Sequence, residues 1–468
     1  MTIDMLPDDV LLGIFDFYRS NHDYTRYTIW KWHLLVHVCR RWRQIVFASP
    51  HHLNLQLLCT DGTPVRKNLG IWPALPIVID YRRFRRSIRP KGEDNVIAAL
   101  QHPDRVCVVG LDVTRLQLEK MATVIQEPFP VLTCLNISSK GGNAMVLPGG
   151  FLGGYAPRLR SITLSGIPYP ALPTLLLSTS DLVTLSLHNI PPTGYISPEA
   201  MVVGLAALPR LGIFFIEFQT ATSHPDRVHP PPVTRAVLPA LTYFQFQGDT
   251  EYLEDLVAQI DSPRLYQIHV HYLNQLVDFQ VTQLAKFIDR SGGPESTPFK
   301  HAQVSFSSDW VTFDMYHDAN YPGGDERRAR TTISCVGIAW QVSQTAQMLS
   351  QFSATLSNVA HLKLEAEPEE DRQLGGTDDI EWLDLLHQFP TVQTLHVSLE
   401  LAGNVALALE GITWEMVAEV SPSLDLIYLA GQLASSIENF VTVRQLSGRP
   451  VTVVDTKMEF DQRLESYI

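Results

Sequence analysis

Pro239-Ala240-Leu241-Thr242-Tyr243-Phe244-Gln245-Phe246 is the stretch on which the fold turns. Leu241, Phe244 and Phe246 hold the first, fourth and sixth positions of a phrase that returns along the chain. Pro130 precedes Leu132, Leu135 and Ile137; Pro157 precedes Leu159, Ile162 and Leu164; Leu182, Leu185 and Leu187 follow. Pro209 leads Leu211, Phe214 and Ile216, and Pro263 leads Leu265, Ile268 and Val270. Later copies are Val359 with Leu362 and Leu364, Pro390 with Val392, Leu395 and Val397, and Pro422 with Leu424, Ile427 and Leu429. Weaker copies open at Val106, His301 and Ile333. Successive first positions lie 23 to 36 residues apart, the loosened period of a repeat array with insertions. The fourth and sixth positions alternate inward as a short strand requires, and the first packs on the way in. Helical periodicity fills the intervals at 114–126, 252–260, 281–288, 343–357, 379–387 and 434–443. One strand and one helix per repeat, stacked side by side, predict an α/β solenoid with a curved parallel sheet.

The bulk properties agree. A chain of 468 residues exceeds one hydrophobic core, so an elongated repeat fold or several units are expected. With 45% hydrophobic and 18% charged residues it is globular, not disordered. A net charge of −13 argues against a dedicated nucleic-acid binder. No run of 18 apolar residues occurs, so no membrane helix is expected. Asp4, Asp8 and Asp9 stand where a secretory leader avoids acid. Cys39, Cys59, Cys107, Cys134 and Cys335 are odd in number and scattered, and read as buried thiols of a reducing compartment, the cytoplasm or nucleus. Residues 53–58 and 77–81 read as starting strands within a transitional segment, 51–100, that caps the sheet. The repeats then occupy 101–455, with a last strand at 451–454. Residues 456–468 form a terminal cap or tail.

The first 50 residues differ from this pattern. Leu6-Pro7-Asp8-Asp9-Val10-Leu11-Leu12-Gly13-Ile14-Phe15 reads as a helix start, with Pro7 at the first position and two acids at the positive end of the dipole. Val10, Leu11, Ile14, Phe15 and Tyr18 form one apolar stripe. Leu34, Leu35, Val38, Trp42, Ile45 and Val46 repeat it on a second helix through Val36-His37-Val38-Cys39-Arg40-Arg41-Trp42-Arg43. Two such helices bury little surface alone. These two signatures resemble an F-box, and the repeats resemble irregular leucine-rich repeats of the fungal, basidiomycete-like kind that accompany it. Residues 20–27 make a longer polar connection than that family shows, and the asparagine or cysteine after the third leucine is mostly absent. The resemblance implies a substrate-recognition subunit of a Skp–cullin–F-box type ubiquitin ligase. Leu6, Pro7, Val10, Leu11, Ile14 and Phe15 would dock on the Skp-type adaptor and, through it, a cullin scaffold. Val38, Cys39 and Trp42 would build the interface or the core behind it. The alternative is a leucine-rich-repeat interaction scaffold whose helices only cap the array.

Strand alternation also marks a target-binding face. Its expected concave positions are Thr184, Ser186 and His188; Ile213, Phe215 and Glu217; and Tyr243, Gln245 and Gln247. Gln267, His269 and His271 come next, then Gln303, Ser305 and Ser307. Exposed aromatics among amides and imidazoles suit recognition of a protein target. No arginine falls among these positions, so a phosphate-reading pocket is not expected. The insert at 313–330, with Tyr316, His317, Tyr321 and Gly323-Gly324, is expected to be a covering or second binding loop. Other motifs carry less. His269-x-His271 lacks a carboxylate or cysteine to complete a metal site. Gly149-Gly150-Phe151-Leu152-Gly153-Gly154 has no Lys-Ser/Thr after it and reads as a flexible turn, not a phosphate loop. Arg82, Arg83, Arg85, Arg86, Arg89 and Lys91 read as a solvated basic face, and 365–371 as an acidic loop. No nucleophile–base motif emerges, so neither catalysis nor a cofactor is expected.

Overall fold

The computed structural model describes residues 5–20, 32–60, 65–70, 72–82, 88–139, 145–220, 235–273, 280–291, 297–317, 327–367, 379–413, 416, 420–429 and 437–455. The chain divides into two units, Met1–Ile196 with Val203–Leu211, and Ser197–Val202 with Gly212–Ile468. The connection at 20–27 beyond Ser20, Arg83, Arg85 and Arg86 of the basic run, the acidic loop from 368 and the tail at 456–468 lie outside the described residues.

The first unit opens with helices α1 (Asp8–Ser20), α2 (Trp32–Val36) and α3 (Arg40–Ala48). There follow β1 (Leu57–Cys59), α4 (Val65–Leu69), β2 (Ile77–Asp80), α5 (Pro90–Leu100), β3 (Val106–Val113) and α6 (Arg115–Ala122). β4 (Cys134–Ser139), β5 (Ser161–Ser165), α7 (Leu172–Leu176) and β6 (Thr184–Ile190) complete it, with α8 (Pro198–Leu205) at the chain boundary. Strands β1 to β6 pair in chain order and all in parallel. Register explains the regularity. Leu135 lies opposite Ile162 and Ile162 opposite Leu185, so the fourth position of each copy meets the fourth position of the next. A slip of one residue would turn every leucine to solvent, and burial forbids it. The first-position leucines Leu132, Leu159 and Leu182 are fully buried. The ladder starts at Leu57, earlier than the phrase, because 57–59 and 77–80 join it in parallel with α4 and α5 between them. Thr114 and Gln117 form a capping box that starts α6.

Two expectations are corrected in this unit. The second N-terminal helix is two helices: Cys39 is extended and accepts the Trp42 N–H at 3.4 Å, so it caps α3 and separates it from α2. The glycine-rich stretch at 149–154 is a packed turn. Phe151 and Leu152 are buried, the Leu152 N–H donates to the Ile125 carbonyl at 3.0 Å, and Leu152 and Gly153 both hold positive φ.

The second unit contains β7 (Ile213–Phe218), β8 (Ala236–Val237), β9 (Tyr243–Gly248), α9 (Thr250–Ala258), β10 (Ile260–Asp261), β11 (Gln267–Tyr272) and α10 (Thr282–Arg290). Next come β12 (His301–Phe306), β13 (Trp310–Tyr316), β14 (Arg328–Ser334), α11 (Ile338–Leu349) and α12 (Ser353–Leu356). β15 (His361–Ala366), α13 (Asp379–His387), β16 (Thr394–Val397), α14 (Leu399–Glu410), β17 (Leu426–Leu429), α15 (Glu438–Leu446) and β18 (Thr452–Asp455) end it. Its sheet runs β7-β9-β11-β14-β13-β12-β15-β16-β17-β18, with β8 and β10 paired apart. Phe214, Phe244 and Ile268 stand in register, as do Leu362, Leu395 and Ile427. The inward face is aromatic: Phe214 stacks on Phe244 at 5.4 Å, and Phe306 meets Trp382 edge-on at 5.6 Å.

Among the described residues the parallel order is interrupted once. β12, β13 and β14 form an antiparallel meander, and β14 rather than β12 pairs with β11. The copy expected to open at Ile333 is therefore absent: Ile333 lies near the end of β14, Val336 is exposed, and Gly337, at φ +88, precedes α11. Most described residues of the 313–330 insert are strand, not covering loop. Val311, Phe313 and Met315 alternate inward there, as do Ala329 and Ile333 opposite. That period of two is what an antiparallel hairpin with one open face requires.

Candidate functional site

Two surfaces emerge. The first is helical. Leu11 and Phe15 on α1 are buried, and Phe15 packs on Trp42 with ring centroids 4.7 Å apart. Arg41 fastens α3 to the chain start, donating to the Asp8 carboxylate at 2.6 Å and to the Leu6 carbonyl at 2.5 Å. Arg43 donates to the Val36 carbonyl at 2.9 Å. With the inner stripe used, a second apolar set remains in solvent: Val10 is 46% exposed, Ile14 42%, Phe17 65%, Leu34 61% and Val38 58%. Pro7 is exposed as well, and Leu6, Cys39 and Trp42 are half-buried. The nine residues named for adaptor docking thus divide into an outer group and an inner one that holds it.

The second surface is the open face of the second unit. Every predicted position on β7, β9 and β11 lies there, half-buried, while the intervening residues are buried. Gln303 and Ser305 share it, but Ser307 is buried in the β12–β13 turn. In the first unit Ser186 is also buried. Phe215 packs on Tyr243 at 5.0 Å. A hydrogen-bond chain crosses three strands. The Gln245 amide donates to Glu217 at 2.8 Å, leaving its oxygen to accept the Tyr243 hydroxyl at 2.8 Å. Tyr243 has then spent its proton, so His269 Nδ1–H donates to it at 2.9 Å. His269 Nε2 is left as a buried lone pair without a partner among the described residues. Burial foremost, with the Arg330 charge beside it, lowers the His269 pKa to about 4. His271, also lowered by burial, bonds the Ser334 hydroxyl at 2.8 Å.

The meander adds residues that the repeat phrase did not reveal. Register places Arg328 beside Gln267 and Arg330 beside His269 on the open face. Two arginines therefore share the open face with the predicted positions, on a strand that the repeat phrase did not include. Both hydrogen-bond Asp314: Arg328 donates Nε at 2.9 Å and Nη2 at 2.7 Å, and Arg330 does the same. Burial would raise the Asp314 pKa, yet the two guanidinium groups outweigh it and hold the carboxyl below its ordinary value. Beyond it His301 stacks between Tyr316, at 5.3 Å, and His361, at 4.6 Å, and His396 stacks on Tyr428 at 4.1 Å. The alternation Arg328-Ala329-Arg330 was the signal available in the sequence, hidden within a stretch that matched no repeat.

Elsewhere less is assembled. Among the described residues no three His, Cys, Asp or Glu side chains group as a metal site needs, and His269 and His271 gain no third member. Arg82 pairs with Asp112 at 3.2 Å. Of the five free cysteines Cys59 is buried and the other four only partly so, with burial pushing Cys107 and Cys335 up to about 11. No described helix is long and apolar enough to cross a membrane.

No family model matches this sequence, and no curated protein does. Among solved structures it is similar to the leucine-rich repeat-containing protein LegL7 of Legionella pneumophila, at 12% identity and a TM-score of 0.27, over 85% of this chain and 98% of that one. The leucine-rich-repeat-like character rests on the strand ladder itself.

Proposed function

We propose that this chain is a protein-interaction scaffold of the leucine-rich-repeat kind that serves as the substrate-recognition subunit of a Skp–cullin–F-box type ubiquitin ligase. The outer apolar set of Val10, Ile14, Phe17, Leu34 and Val38 carries the reading. A helical module with an inner stripe in its core and an outer stripe in water has a docking face to spare. On this reading the helices hold a Skp-type adaptor, the open sheet face holds a protein target, and the chain acts by proximity in the cytoplasm or nucleus. The test is co-purification with a Skp-type adaptor of the full chain and of the Val10→Asp, Ile14→Asp double variant. Capture of the wild type and loss with the variant is the expected result; equal capture, or none of either, overturns the ligase role.

One observation favours a second reading, in which the helices cap the array. Trp32 on α2 packs edge-on against Trp72 at 5.3 Å and Phe47 at 6.1 Å, tying the module to the start of the ladder. Limited proteolysis separates the two: a cap resists release from the repeats, whereas an independent adaptor module comes away intact.

A further inference from the structure

Arg328 and Arg330 share one buried carboxylate between two guanidinium groups. Each spends Nε and Nη2 on Asp314, and among the described residues neither Nη1 group has a hydrogen-bond partner. Both side chains stay accessible, at 32% and 39%, while Asp314 is 7% exposed. The trio is left with one net positive charge, and its buried member presets both arginines. A planar fork held in place by a buried acid is suited to receive a carboxylate, because little rotamer freedom is lost on binding. We propose that this pair is an acid-recognition site, which takes a glutamate or aspartate side chain of a peptide segment lying along the open face. The inference rests on the reading of that face as target-binding and names the chemistry of its target.

Charge selects the occupant. One net positive charge matches a carboxylate, whereas a doubly charged phosphoryl group would leave an excess negative charge. The flanking groups do not remedy that excess. Lys363 is already paired with Glu365 at 2.5 Å, and Glu217 lies on the other flank. His269, beside Arg330, stays neutral near pH 7. Tyr316 stands opposite Arg328, and Tyr243 lies one strand beyond, opposite Gln267.

The experiment begins with random peptides displayed on phage, selected on the immobilised full chain. The best sequence is then synthesised with glutamate, glutamine or phosphoserine at its most enriched acidic position, and binding is followed by fluorescence anisotropy. Acidic residues should be enriched, and the glutamate peptide should bind roughly tenfold tighter than the glutamine one. The double variant Arg328→Lys, Arg330→Lys keeps a positive charge on each side of Asp314 while losing the fork, so it should fold and bind both peptides alike. Full binding by this variant, or a clear preference for phosphoserine, overturns the proposal. Enrichment without acids overturns the carboxylate assignment and leaves the face a peptide surface. No enrichment at all overturns both.

Discussion

Glu254 and His269 show how burial in one unit sets opposite responses to pH. Glu254, on α9, accepts the Gln283 and Leu284 N–H groups at 2.7 and 2.8 Å, capping α10 where Val281 has no side chain to do so. Burial raises its carboxyl to about 7, so between the unfolded value near 4.5 and 7 the native state holds the extra proton. Stability therefore falls as pH rises through that window, by up to about 3 kcal/mol. His269 works the other way: with its pKa lowered to about 4, the unfolded state binds the extra proton below 6.5, and stability falls as pH falls toward 4. Thermal melts from pH 4 to 7.5 should show a steeper acid loss in Glu254→Gln than in the wild type, and a shallower one in His269→Gln. Gly153 is a second point of residue-scale control. Its φ is +59, and a Cβ there would lie 2.5 Å from the Pro128 nitrogen. Gly153→Ala should cost about 3 kcal/mol in urea denaturation, because backbone must move to admit the methyl.

At the scale of elements, the helical module and the meander both depart from the repeat, each for a different reason. The module has two stripes, one buried against Trp42 and one in water. Phe15→Ala should cost about 3 kcal/mol, whereas Val10→Asp with Ile14→Asp should change stability by less than ~1 kcal/mol. Chemical denaturation of each variant checks the pair, and similar losses would place both stripes in the core. The periodicity of α1 was legible from residues 8–18 alone, but which of its apolar residues face inward was not. That depends on where α3 crosses, a crossing that Arg41 ties down through Asp8 and Leu6. The meander was misread because Trp310–Tyr316 and Arg328–Ser334 carry a period of two without the spacing of the phrase.

At the scale of the molecule, the two units each bury their own ladder, and neighbouring repeats rather than distant ones hold each together. Such arrays lose cooperativity as they lengthen. Of the eight tryptophans, Trp30, Trp32, Trp42 and Trp72 fall in the first unit, and Trp310, Trp340, Trp382 and Trp414 in the second. Replacing either set by Phe should give urea transitions whose fluorescence midpoints differ from each other, while far-ultraviolet circular dichroism spans both. Coincident midpoints would mean that the chain unfolds as one cooperative body.

Along the parallel stretches, the sequence alone set which residues each strand buries and which face it leaves open, while the antiparallel meander was not legible in it. Leucines at the first, fourth and sixth positions recur once per repeat, and alternation within a strand is a local property of the backbone. The meeting of Asp314 with Arg328 and Arg330, 14 and 16 residues away, came from the three-dimensional fold. An antiparallel turn-back aligns residues according to where the chain reverses, and no repeat spacing encodes that position. The division of the N-terminal stripe into buried and exposed halves follows likewise from the neighbours it packs against, Phe15 meeting Trp42 while Val10 and Ile14 meet solvent.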